Sequence, residues 1–177
     1  MGSAELLADA FGRAQEEVHA AVDGLSPEQL AVRLDDDANS IAWLCWHLTR
    51  VQDDHVAGGF GVKQVWPQWR ERFGLGQNNT RQDDIGGNDI GYGHSSRQVA
   101  QIHATADLLT GYYDAVHEQT IRLASTVTDA DLERIVDERW NPPVTLGVRL
   151  VSVISDCLQH VGQAAFVRGI VLRRARG

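Results

Sequence analysis

The sequence predicts an all-α protein, a four-helix bundle with long crossover connections and short extra helices. Three observations carry that prediction. Four long segments repeat apolar residues at the three- and four-residue spacing of an amphipathic helix. Helix-start signals, a Ser or Thr with a capping partner or a following proline, stand at several helix starts. No stretch alternates apolar and polar residues over the length of a strand. With 177 residues the chain can bury its own core, and residues 1–177 read as a single domain.

The first helix is expected over residues 3–23, with Leu6, Leu7, Ala10, Ala14, Val18 and Ala21 on its apolar face and Gly24 as its stop. "LSPEQL" then offers Ser26 as N-cap, Pro27 at the first helical position and Gln29 as capping-box partner, enough for one short turn. The second long helix starts at Asn39 or Ser40 and reaches Ala57, where Gly58 and Gly59 stop it. Its apolar face is Ile41, Leu44, Leu48, Val51 and His55, with His47 in the middle. "KQVWPQWRERFG" adds a short helix broken near Pro67. Residues 74–96 are rich in Gly, Asn and Asp and poor in aliphatics; so long an irregular segment is functional or disordered.

The third long helix is expected to begin near Ser95, with Gln98 as capping partner, and to run to about Ser125. Val99, Ile102, Ala106, Leu109, Tyr113, Val116 and Leu123 form its stripe. A connector follows, with a short helix over 129–135. Thr145 caps the last helix, which reaches about Arg173 and carries Leu146, Leu150, Val153, Ile154, Cys157, Val161, Ala165 and Ile170.

Composition narrows the function. A hydrophobic share of 43% with 23% charged residues is that of a soluble globular protein. A net charge of −8 repels phosphate backbones and anionic membrane surfaces, which argues against nucleic-acid and membrane partners. No apolar run approaches the roughly 20 residues that span a bilayer, and the N-terminus has no apolar signal core, so a cytoplasmic location is expected. Lys63 is the only lysine; so strong an arginine bias fits a GC-rich bacterial genome. Cys45 and Cys157, each among apolar helical neighbours, read as buried free thiols in a reducing compartment.

The chemistry concentrates in "SDCLQHVGQ", residues 155–163. Asp156 and His160, four apart on a helix, are neighbours on one face, and Val153 and Val167 border the same row. A carboxylate beside an apolar face needs a cationic partner, and a metal ion is one. A third ligand should come from a facing helix, and His47, surrounded by Leu44, Leu48 and Val51, is the best placed. Two histidines and a carboxylate suit Zn, and also Ni or Fe(II), with positions left open for water or substrate. The bland alternatives are a helix-surface Asp–His ion pair and a histidine satisfied within the core. Gln163 would meet a metal-bound group or substrate, or else make a helix–helix hydrogen bond. Arg168 would hold an anionic ligand, or else pair with an acid on a neighbouring helix. Trp43, Trp46, Trp66 and Trp69 fit aromatic core packing better than a pocket wall. His94 reads as a solvated loop histidine, and His103 and His117 as surface residues beside the third stripe.

"NSIAWLCWHLTRVQDDHV" and, about a hundred residues later, "TLGVRLVSVISDCLQHVGQAAFVRG" resemble the DinB-like metalloprotein superfamily. They are most similar to its actinobacterial branch of mycothiol-dependent transferases and maleylpyruvate isomerase. The resemblance spans most of the chain in the right order. It implies a four-helix bundle holding a divalent metal through three side chains, with His47 and His160 at the family's first and last ligand positions. Asp156 falls where relatives carry His or Glu and is shorter than Glu by one methylene. Ala164 and Ala165 stand where relatives often have another polar residue, and Gly162 where two helices come close. The implied activity is a metal-dependent thiol S-transferase or related isomerase. A small electrophilic substrate and a low-molecular-weight thiol such as mycothiol are its partners, the loop 74–93 covers the site, and a homodimer is possible. The alternatives are a metal-dependent hydrolase and a non-catalytic, stress-associated metal- or ligand-binding bundle.

Overall fold

A computed structural model of the chain describes residues 1–75 and 85–175. Its elements are α1 (Ser3–Val22), α2 (Pro27–Leu30), α3 (Ile41–Phe60), two 3₁₀ turns (Trp66–Gln68 and Arg70–Phe73), α4 (Ser96–Val99), α5 (Ala106–Ala124), α6 (Asp129–Leu132), β1 (Ile135–Asp137), β2 (Val144–Thr145) and α7 (Leu146–Arg174). The four long helices form the bundle, and each buries the stripe its spacing defines: Phe11, Ala14 and Val18 on α1, Tyr112, Tyr113 and Val116 on α5, Leu150, Val153 and Cys157 on α7.

Cross-contacts fix the topology. Gly59 of α3 lies against Leu146 of α7, and the Cys157 thiol against the Leu48 carbonyl, so α3 and α7 run antiparallel. Arg168 near the end of α7 reaches the end of α1, so those two run parallel. Arg50 meets Tyr112, and Gln52 meets Thr120, while Gln119 reaches Lys63, so α3 and α5 run parallel. Parallel neighbours need a crossover, and residues 61–105 supply it. The helices pack in the order α1–α7–α3–α5 around the core, with α1 and α3 on one diagonal.

Local signals set most ends. The Ser26, Ser40 and Thr145 hydroxyls accept the N–H groups of Gln29, Trp43 and Val148 at 3.3, 3.1 and 3.3 Å. α3, however, runs past Gly58 and Gly59 and stops at Gly61, in the left-handed conformation at φ 68°. Gly59 is spent on packing instead, since an added Cβ would stand 3.2 Å from Leu146 Cδ1. The third long helix is split. The Ser95–Gln98 capping box forms, yet the helix it starts lasts a single turn. Thr105 caps a second start by accepting Leu108 N–H at 3.1 Å. Val99 and Ile102 are buried, so their spacing continues the α5 stripe across a break in the backbone.

The helix expected over 129–135 ends at Leu132, and Ile135 joins a two-stranded antiparallel ribbon, pairing with Thr145 while Asp137 pairs with Val144. Strands of three and two residues are too short to alternate visibly. α7, at 29 residues, is by length and composition alone apolar enough to cross a membrane. It is also a core helix of the bundle, and it carries Arg149, Asp156, His160 and Arg168.

Candidate metal centre

α3 is the innermost helix: every residue from 41 to 53 is buried. α7 covers one flank, α5 another, and residues 85–94 lie over the part that neither reaches. His47 points into the seam between α3 and α7 and is only 2% exposed. Asp156 and His160, one turn apart on α7, face it from the more open side, with side chains 19% and 21% exposed. One ligand atom from each of the three lies within 4.8 Å of the others. His160 Nε2 is 3.7 Å from Asp156 Oδ1. The two imidazole rings meet edge to face, 4.8 Å apart at 78°.

Each histidine has its far nitrogen engaged. His47 Nδ1 is 2.5 Å from the Ile90 carbonyl oxygen, so it carries the proton and leaves the Nε2 lone pair free. His160 Nδ1 is 3.0 Å from Gln163 Oε1, which accepts in the same way. Fixing the tautomer through the remote nitrogen is how ligating histidines are oriented in metal sites. Trp43 stacks on His47 at 4.6 Å and 14° and holds the ring plane.

The electrostatics point the same way. Burial pulls the His47 pKa down to about 4, against the raising effect of the Ile90 hydrogen bond, so the ring is neutral at pH 7. Burial pushes the Asp156 carboxyl up, opposed by His160 and His55. Its Oδ2 is buried with no hydrogen-bond partner among the described residues. A buried carboxylate oxygen left bare is costly. Beside two free imidazole nitrogens, it is the donor set that a divalent cation completes. The residues therefore fit a three-ligand metal site.

The other residues singled out in the sequence divide. Gln163 is at the cluster through His160. Arg168 is not: its guanidinium donates to the Asp23 carbonyl at 2.6 Å and the Ala21 carbonyl at 3.5 Å, where it satisfies the C-terminal end of α1. Gly162 meets no other helix, and a Cβ there would touch nothing within 4 Å. Trp46 and Trp66 are core residues, Trp69 is partly buried, and Trp43 belongs to the cluster. Cys45 and Cys157 are buried free thiols, and burial raises the Cys45 pKa to about 12.

His94 is not solvated. Its side chain is 2% exposed, its Nδ1 accepts the Trp43 indole N–H at 3.1 Å, and its Nε2 is 3.1 Å from Asp89 Oδ1. His103 is exposed in the break before α5. Of the loop 74–93, residues 76–84 lie outside the described residues, and residues 85–93 reach the site. Tyr92 lies edge-on to His47 at 5.3 Å. Gly91 packs so closely that a Cβ would stand 2.6 Å from His47 Nδ1. The Ile90 carbonyl and the Trp43 stack were missed in the sequence. The sequence signal for the loop was its length and its Gly-, Asn- and Asp-rich composition, and two of its glycines, Gly91 and Gly93, take positive φ of 100° and 71°.

An up-down-down-up bundle with a His–Asp–His cluster between its second and last long helices defines a DinB-like protein. The chain belongs to the mycothiol-S-transferase family, whose pattern matches residues 6–171. It is also similar in structure to a conserved protein from Enterococcus faecalis, with a TM-score of 0.83 and 26% identity over 97% of this chain and 98% of that one. No curated protein matches the chain in sequence.

Proposed function

We propose that the protein is a divalent-metal-dependent thiol S-transferase, using mycothiol or a closely similar low-molecular-weight thiol and a small electrophilic substrate. Family membership supports the thiol. The bare Asp156 Oδ2 beside two imidazoles with engaged Nδ1 atoms supports the metal. His47 Nε2, His160 Nε2 and an Asp156 oxygen are the ligands, and zinc suits two nitrogens and a carboxylate best. Bound there, a divalent cation supplies Lewis acidity that deprotonates a thiol at neutral pH.

The protein's own residues do the rest. The Ile90 carbonyl and Gln163 Oε1 hold the two rings in one tautomer. Trp43 and Gly91 close the core side, so co-substrates approach past Asp156, His160 and the 60% exposed Tyr92. In the transfer the thiol sulfur bonds to the electrophilic carbon, the thiol proton passes to solvent, and the leaving group departs with its bonding pair.

Elemental analysis of the purified protein beside Asp156→Ala and His160→Ala tests the ligands; one equivalent of metal in the parent and little in either variant is expected. Conjugate formation from a panel of electrophiles, with and without mycothiol, tests the chemistry. Turnover without any thiol would replace this reading with a hydrolase, and metal binding without turnover would leave a binding protein.

A further inference from the structure

The three ligands leave one task undone. A side chain whose lone pair is committed to a cation is a poor proton acceptor. A proton released at His47, Asp156 and His160 therefore needs another placed group, at the open side and with a free lone pair. His94 is not that group: it is 2% exposed, and its Nδ1 already accepts the Trp43 indole N–H at 3.1 Å. Nor is Asp54, because the hydrogen bond with His55 holds its carboxyl below the ordinary carboxylate range. His55 has what both lack.

His55 lies further along α3 than His47, with its side chain 17% exposed. Its Nδ1 is 3.0 Å from Asp54 Oδ2, and Asp54 Oδ1 accepts the Gln64 amide at 2.7 Å. Gln64 is anchored in turn by the buried Arg50 at 3.1 Å. These contacts fix Nδ1 as the protonated nitrogen and leave Nε2 its lone pair, with no hydrogen bond among the described residues. A carboxylate that orients an imidazole and answers its charge once protonated is the arrangement of a general base.

Position links this imidazole to the cluster. The Tyr92 ring is 5.3 Å from His47 and 6.4 Å from His55, and so spans the two. Burial raises the Asp156 carboxyl, and His55 is, after His160, the group that opposes it. On its other side His55 lines a small cleft of about 140 Å³ at the end of α3. The charged and titratable groups around it are Asp54 on its own helix, Arg149 and Asp156 on α7, Tyr92 on the loop, and Asp137 and Arg139 at the ribbon. Asp137 answers both arginines, each at 2.9 Å.

We propose that His55, oriented by Asp54, is the acid–base residue of this site: through one bridging water it takes the proton of the nucleophile activated at the cluster and passes it to solvent by way of the small cleft. This rests on the transferase reading above. The step balances. The thiol S–H bond breaks and its proton goes to Nε2, while the sulfur pair bonds the electrophilic carbon. The leaving group departs with its own bonding pair. The imidazolium, held by Asp54, then releases the proton to water and returns to the neutral ring.

The test is the pH dependence of kcat and KM for mycothiol-dependent conjugation by the metal-loaded protein, beside His55→Gln and Asp54→Asn. Glutamine fills similar space and does not titrate. His55→Gln should lower kcat about 100-fold, leave KM for mycothiol and the metal content unchanged, and remove the acid limb of the pH profile. Asp54→Asn keeps the imidazole and loses its anionic partner, so kcat should fall about tenfold with the limb retained. Parental kcat and an intact acid limb in His55→Gln would overturn the proposal and leave the transferase standing. So would a loss confined to KM or to metal content, which is what a structural role produces. Turnover by the parent without thiol, lost together with its acid limb in His55→Gln, would keep His55 as the proton acceptor from water and remove the transferase reading. No turnover of either kind in the parent would remove both.

Discussion

Two polar clusters hang from the same helix, one turn apart, and they are finished differently. Arg50 is fully buried on α3. Its guanidinium reaches Gln64 Oε1 at 3.1 Å, Tyr112 Oη at 3.2 Å, Asp53 Oδ2 at 3.4 Å and the Asp89 carbonyl at 3.1 Å, and it lies 4.8 Å over Trp66. Asp53 in turn accepts the N–H groups of Val65 and Trp66, each at 2.8 Å, and the Tyr112 hydroxyl at 2.8 Å. Every charge there is answered from within the chain. At His47 the supporting contacts are equally well built, yet among the described residues Asp156 Oδ2 has no hydrogen-bond partner, and it stands beside the two imidazoles. A completed buried network holds a fold together; one that stops a ligand short is built for something else.

Breaking each cluster separates the two roles. Arg50→Met strands Asp53 in the core and should cost about 3–5 kcal/mol, read as the shift in a urea unfolding curve. Asp156→Asn removes a partly buried charge whose Oδ2 has no hydrogen-bond partner among the described residues and whose Oδ1 has only His160 at 3.7 Å, so it should cost less than about 1 kcal/mol, or stabilise slightly. Its effect should appear instead as lost metal uptake. Equal destabilisation by the two variants would make the His–Asp–His cluster structural.

The loop ties the clusters together, because Arg50 holds the Asp89 carbonyl and the next residue, Ile90, holds His47. Gly91→Ala tests that tie. At φ 100°, with His47 Nδ1 2.6 Å from the new Cβ, the loop must shift away from the ring. Metal affinity should fall about 10- to 100-fold as His47 loses its orienting acceptor. Gly86→Ala, where a Cβ meets nothing within 4 Å, is the matched control and should leave affinity unchanged. On the open side Gln163→Leu removes the corresponding acceptor for His160, a half-buried ring, so a smaller loss of about tenfold is expected. Gln163→Glu keeps the acceptor and should restore the affinity.

Much of this was legible in the sequence, for stated reasons. The α1, α3 and α7 stripes follow from spacing, and the caps of α2, α3 and α7 from Ser26, Ser40 and Thr145. The i, i+4 placement of Asp156 and His160 is a property of any helix. The break before α5 was not legible, because Val99 and Ile102 keep the helical period while the backbone between them and Ala106 leaves it. Arg168 shows the limit of composition: a lone arginine on a helix serves a carbonyl as readily as an anion, and here the end of α1 takes it. The Ile90 contact was invisible because a backbone carbonyl has no sequence signature, and the loop bearing it aligns with no period. Trp43 was visible as an aromatic, and its stacking on His47, four residues on along α3, is the same i, i+4 relation and was open to reading from the spacing.

Asp137 sharpens the comparison from the weak end, as a buried carboxylate whose ion pair opens to water through Arg139. It accepts from Arg139 Nε and Nη2, both at 2.9 Å, and from Arg149 Nη2 at 2.9 Å, with the Arg139 side chain 86% exposed. The Arg139 hydrogen bonds hold its carboxyl well below the ordinary carboxylate range. A depressed folded-state pKa contributes stability that is complete above the unfolded value, about 3.9 for Asp, and drains away as pH falls toward the folded value. The difference in melting temperature between the parent and Asp137→Asn should therefore be flat from neutral pH to about pH 5 and shrink below about pH 4. It should also shrink with salt, because Arg139 is open to water. The Arg50→Met difference should ignore salt, since its guanidinium is sealed in the core. A salt-sensitive Arg50 or a salt-insensitive Asp137 would mean that burial is not what divides the polar groups of this protein.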